Sequence, residues 1–163
     1  MGFTTRVLVL AHQTADSEGL AEALRRRSEG GDVFFTLLLP AGWREREAAR
    51  VQLGSALTRL RGAGLDVEGR LCDADPIMAV TEVWDPGEFD EVIVSTLARD
   101  TSRWLAADLP HRIGRVTDAP VAHVVPSEIE RALALERRPH PEHHDPQRSL
   151  GPFADPAIPE PGR

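Results

Sequence analysis

Directly after the apolar run Val92-Ile-Val94, the chain reads Ser95-Thr-Leu-Ala-Arg-Asp-Thr-Ser-Arg103. The hydroxyls of Ser95, Thr96, Thr101 and Ser102 and the guanidinium of Arg103 are groups that hold an anion, by neutral and charge-assisted hydrogen bonds. A helix starting near Ser102 would add free backbone amides. In the plainer reading, preferred here, Ser102 only caps that helix and Arg99 and Arg103 are solvated. A second polar set, His12, Gln13, Thr14, Asp16 and Ser17, follows the apolar run Arg6–Ala11. In an open α/β sheet ligands bind beyond the carboxyl ends of strands, so both sets are ligand-binding candidates. No glycine occurs between Gly87 and Gly114. A backbone nest around phosphates usually needs glycines, for positive φ and for close approach. The place for a nucleotide site is there, without its usual chemistry.

Catalytic readings are weaker, and no residue is assigned a catalytic role. His12 and His111 could both approach the strand ends, and with Ser95 they would make a small enzyme working by acid-base chemistry. Ser95 has no Gly-x-Ser-x-Gly elbow to expose it. All 19 basic residues are arginine, which removes Schiff-base and Walker-type lysine chemistry. His140, His143 and His144 stand in a proline-rich tail without a rigid second shell, so no specific metal site is expected. Trp104 reads as packing on the sheet, and Cys72 as a small packed residue. Arg25, Arg26 and Arg27 suit a helix C-terminus. The net charge of -7 argues against nucleic-acid partners. With no leader pattern and no long apolar run, a cytoplasmic protein without a membrane partner is expected.

Six elements or more must position these groups. Buried strands are predicted at Arg6–Ala11, Val33–Leu39 and Glu91–Thr96, an edge strand at Leu65–Leu71, and a fifth strand at Val121–Val125. A helix capped by Asp16 or Ser17 ends at Gly30-Gly31, and a long helix spans Trp43–Arg61. Asp75-Pro76 opens a third helix carrying Ile77, Val80 and Trp84. A short turn of helix from Ser102, a break near Pro110 and a second helical piece are expected next, since proline disrupts a helix interior. Ser127-Glu-Ile-Glu130 opens a last helix. The alternation predicts an open five-stranded parallel sheet with helices on both faces, Rossmann-like, in an α/β domain over residues 1–138. Residues 139–163 form a Pro-rich tail, disordered or docked on the body or a partner.

Three stretches carry a family resemblance. Gly69-Arg-Leu-Cys-Asp-Ala-Asp-Pro-Ile-Met-Ala-Val80, Phe89-Asp-Glu-Val-Ile-Val-Ser95 and Asp118-Ala-Pro-Val-Ala-His-Val-Val125, in this order, resemble the universal stress protein family over roughly Thr4–Val125. The resemblance implies sheet order 3-2-1-4-5, of the adenine nucleotide alpha hydrolase-like kind, and a homodimer through the fifth strand, here Val121, His123 and Val125. Many members bind ATP with an acidic residue after strand 1 and a Gly-x-x-Gly…Gly-Ser/Thr motif after strand 4. Here His12 stands at the first place, and Ser95–Arg103 replaces the second. The expectation is a non-catalytic regulatory or interaction protein in stress response that does not bind ATP in the usual mode. The alternative is a site for ATP, AMP or another small anion rebuilt after strands 1 and 4.

Overall fold

A computed structural model of the chain describes residues 2–98 and 107–126. Strand β1, Thr5–Ala11, lies at the centre of the sheet and is fully buried from Val7 onward. It pairs with β2, Val33–Pro40, on one side and β4, Glu91–Ser95, on the other. The edges are β3, Asp66–Cys72, and β5, Val121–Val124. All pairings are parallel and the order is β3-β2-β1-β4-β5, as the sequence leads one to expect.

Alternate residues of each strand feed two cores. Val7, Val9, Phe35, Leu37 and Ile93 face α1 (Glu18–Ser28) and α2 (Arg46–Gly62), meeting Leu20, Leu24, Leu53 and Leu60. Leu8, Leu10, Leu38, Val92 and Val94 face α3 (Pro76–Val83) and α4 (Leu109–Thr117), meeting Ala79, Val80, Leu109 and Ile113. A strand covered on both faces has no polar side to present, so its sequence is a continuous apolar run.

Local signals set the helix ends. Ser17 caps α1, its hydroxyl accepting from the Leu20 amide at 3.1 Å, and Arg25, Arg26 and Arg27 occupy the last turn, against the negative dipole end. The Asp75 carboxylate accepts from the amides of Ile77 and Met78 at 2.8 and 3.2 Å, with Pro76 in the first turn of α3. Gly64 follows α2 at φ 83°, where a side chain would be strained. At Gly69 a Cβ would lie 2.8 Å from Leu53 Cδ1, so the absent side chain lets α2 lie close on β3.

One expectation needs correction. Trp43–Glu45 is a short 3-10 turn, and α2 begins only at Arg46. The second helical piece expected near Pro110 is α4: it starts at Leu109, after Asp108 at φ 52°, with Pro110 in its first turn, where a backbone N–H has no partner within the helix and the proline ring is tolerated. The helical turn expected from Ser102, the helix expected from Ser127 and the tail 139–163 lie outside the described residues.

Candidate functional site

The carboxyl ends of β1 to β4 open onto a cleft of about 560 Å³. The turn after β1 contributes His12, Gln13 and Thr14, and the turn after β2 contributes Pro40, Gly42 and Glu45. Ala74 to Ile77 bring in the start of α3, Ser95 to Leu97 the end of β4, and Ala107, Leu109 and Arg112 the start of α4. Parallel strands produce this arrangement because every loop leaving the sheet at that end diverges toward a helix on one face or the other.

The floor is tied across the sheet. Thr14 Oγ1 and Ser95 Oγ lie 2.7 Å apart, with their residues 3% and 1% exposed. They meet because β1 and β4 run in register, Ala11 beside Ser95. The His12 carbonyl accepts from Gln52 Nε2 of α2 at 2.7 Å and from the Ala15 amide at 3.3 Å, which fixes the turn bearing His12. One residue past Ser95, the Thr96 hydroxyl donates to the Leu97 carbonyl at 2.9 Å and lies 2.7 Å from His123 Nε2 on β5. A hydroxyl has one proton, so His123 donates from Nε2. Burial pushes the His123 pKa down.

The cleft brings together His12, Gln13, Thr14, Ser95 and Thr96 from the candidate set. It excludes two others. Asp16 points to α2 instead, where its carboxylate accepts from Arg59 Nε at 2.8 Å. That hydrogen bond raises the Arg59 pKa. Ser17 is engaged as the α1 cap. Thr101, Ser102 and Arg103 lie outside the described residues. His111 is exposed and does not line the cleft; its neighbour Arg112 does. The arrangement of His12, Ser95 and His111 as one catalytic set is therefore not assembled, and the Ser95 hydroxyl is buried against Thr14 rather than poised to attack. Among the described residues no group of three or more His, Cys, Asp or Glu could hold a metal ion. Cys72 is buried and its thiol is pushed up to about 12, first by burial and then by Asp73, so it is inert as a nucleophile.

Sequence reasoning missed Glu45, Asp75 and Arg112 as cleft residues. Asp75-Pro76 was legible as a helix start; that it follows the end of a parallel strand was the available signal for a cleft wall. Arg112 carried no such signal, because which side of α4 faces the cleft depends on packing. The charge of the wall bears on phosphate. Glu45 and Asp75 oppose Arg112 among the described lining residues, and Asp75 already occupies the amides that α3 would offer an anion. The two carboxylates and the occupied amides make this half of the cleft unfavourable to a chain of phosphates.

No protein-family model matches the sequence, and no curated protein does. Solved structures do match. A universal stress protein in complex with cAMP aligns at a TM-score of 0.56 with 18% identity, covering 78% of this chain and 100% of that one. This chain has the universal stress protein fold. The universal stress protein from Archaeoglobus fulgidus in complex with dAMP shares the fold at a TM-score of 0.51, 17% identity, and 76% and 99% coverage. A universal stress protein family protein from Arabidopsis thaliana with AMP bound gives 0.50, 14%, and 77% and 94%. The universal stress protein fold thus spans the described body, at an identity that speaks to architecture alone. No helix among its described residues is long and apolar enough to cross a membrane.

Proposed function

We propose that this chain is a universal-stress-protein-like regulatory or interaction protein that acts by binding, and that its cleft takes an adenine nucleoside or nucleoside monophosphate in a mode that does not use the family's glycine motif. The open cleft joining His12 to Ser95 carries the reading. Its volume falls in the range of roughly 300–1,000 Å³ found for small-ligand sites. The solved structures of this fold that contain cAMP, dAMP and AMP support the ligand class. Glu45, Asp75 and the Asp75-capped α3 oppose a triphosphate.

Isothermal titration and thermal shift with adenosine, AMP, cAMP and ATP test this. Adenosine or AMP should raise the melting temperature and bind more tightly than ATP. No shift with any of them at millimolar concentration would overturn the ligand reading, and ATP as the tightest ligand would overturn the altered mode.

The same proposal includes a homodimer through β5. It is supported by the edge that β5 leaves unpaired among the described residues, by the exposure of His123 and Val125, and by partial burial of Val121. Light scattering should give twice the chain mass, and Val125→Arg should return it to a single mass; a monomer at high concentration would sink the dimer.

A further inference from the structure

The backbone of β5 decides what its outer edge can offer. The carbonyls of Pro120 and Val124 accept from the Val92 and Thr96 amides, both at 3.0 Å, so the even-numbered residues of β5 turn their backbone groups to β4. By the same alternation Val121, His123 and Val125 turn theirs outward, where they are unpaired among the described residues. A proline at a sheet edge often removes an outward donor. Here Pro120 and Pro126 both fall in the inward set, so the outer edge keeps the donors and acceptors of all three residues. Val125 precedes Pro126, which favours an extended backbone and carries the edge one residue past β5. The side chains of Val121, His123 and Val125 share one face. It is the α4 face, since Val121 packs against the core under that helix and a Cβ on Gly114 would lie 3.6 Å from Val121 Cγ2.

We propose that two copies of the chain pair antiparallel along this edge with His123 opposite its own copy, and that protonation of the two imidazoles loosens the dimer. This rests on the homodimer reading above and adds to it a register and a pH gate. Across a twofold axis, it is the register in which all three outward residues bond: His123 with its copy, and Val121 with Val125 of the partner subunit. Opposed residues that exchange both hydrogen bonds have Cα atoms about 5.5 Å apart and side chains on one face, so the imidazoles become neighbours. Neutral rings pack there between two valine pairs, whereas protonated rings put like charges side by side in an interface that excludes water. Burial already lowers the His123 pKa in the single chain. The hydrogen-bond partner of His123 among the described residues is Thr96, not a carboxylate that would favour its charged form. The elements packed on β5 bring His111, Arg112 and Arg115 of α4, Asp118 at its C-cap, and Glu91 of β4, which Arg27 already holds.

Sedimentation of dilution series at pH 7.5, 6.5 and 5 measures the dimer dissociation constant of the full chain, His123→Gln and His111→Gln, with circular dichroism to confirm that each stays folded. Each pKa unit by which pairing disfavours a charged histidine is worth tenfold in that constant. The constant should therefore rise about tenfold or more from pH 7.5 to 5 for the wild type and His111→Gln, and less than about twofold for His123→Gln. The register has its own readout. With copper phenanthroline as oxidant at pH 7.5, His123→Cys should form a disulfide-linked dimer on a non-reducing gel, because its two copies stand directly opposite. Val121→Cys and Val125→Cys, each opposite a different residue, should not, and the native Cys72 is buried. A dimer that does not respond to pH, that responds equally in His123→Gln, or that His123→Cys fails to cross-link overturns this inference while the dimer reading stands. A chain that is monomeric at every pH overturns both.

Discussion

Two consecutive residues at the end of β4 make two very different ties. Ser95 reaches inward to Thr14, beyond the end of the central strand β1, where both hydroxyls are buried. Thr96 reaches outward to His123 on the edge strand β5, where the imidazole is in contact with solvent. The chemistry of the two bonds is similar and the surroundings are not. A buried hydroxyl stripped of its partner stays stripped, whereas the exposed imidazole at the edge has water as a substitute. The inner tie therefore holds the cleft floor rigid, and the outer tie links that floor to the edge proposed for self-association.

Breaking the inner tie gives the largest effect. Thr14→Val should lower stability in urea by about 1–3 kcal/mol, because the Ser95 oxygen is left without a partner. A sharper version removes both hydroxyls: Thr14→Val with Ser95→Ala should cost no more than the worse single change, a strong coupling in a double-mutant cycle. Simple additivity would show that the two oxygens do not depend on each other. Thr96→Val, at the outer tie, should cost less, about 0.5–1.5 kcal/mol in the same urea experiment. A loss equal to that of Thr14→Val would erase the proposed difference between interior and edge.

The smallest effect is a dependence on pH. Burial lowers the folded pKa of His123 below its ordinary value of 6.5. The unfolded chain then takes up a proton first as pH falls, so the contribution of neutral His123 is complete above about pH 6.5 and is lost as pH drops through the folded value. Melting temperatures followed from pH 7.5 to 5 should decline a little more steeply for the wild type than for His123→Gln. Parallel curves would mean that the outer tie does not sense protonation.

Much of this architecture was legible in the chain. The runs at Arg6–Ala11, Val33–Leu39 and Glu91–Thr96 marked buried strands, and Asp16 or Ser17 and Asp75-Pro76 marked helix starts. The site was legible only in part. His12, Gln13, Thr14, Ser95 and Thr96 were placed correctly at strand ends, but Asp16 was drawn off by Arg59, 43 residues away, and Arg112 rather than His111 faces the cleft. Pro110 was legible as a boundary: proline is tolerated in a helix's first turn and not in its interior, and α4 starts beside it, after Asp108 at φ 52°.

The sequence by itself determined the elements, because strand and helix periodicity, caps and turns act between residues a few positions apart. Only the tertiary structure decided which polar groups meet. Thr14 and Ser95 are 81 residues apart, and what joins them is the register of β1 on β4. The exposure of Trp43 is of the same kind: an indole becomes surface or core according to what the rest of the fold brings over it, and here the fold leaves it uncovered.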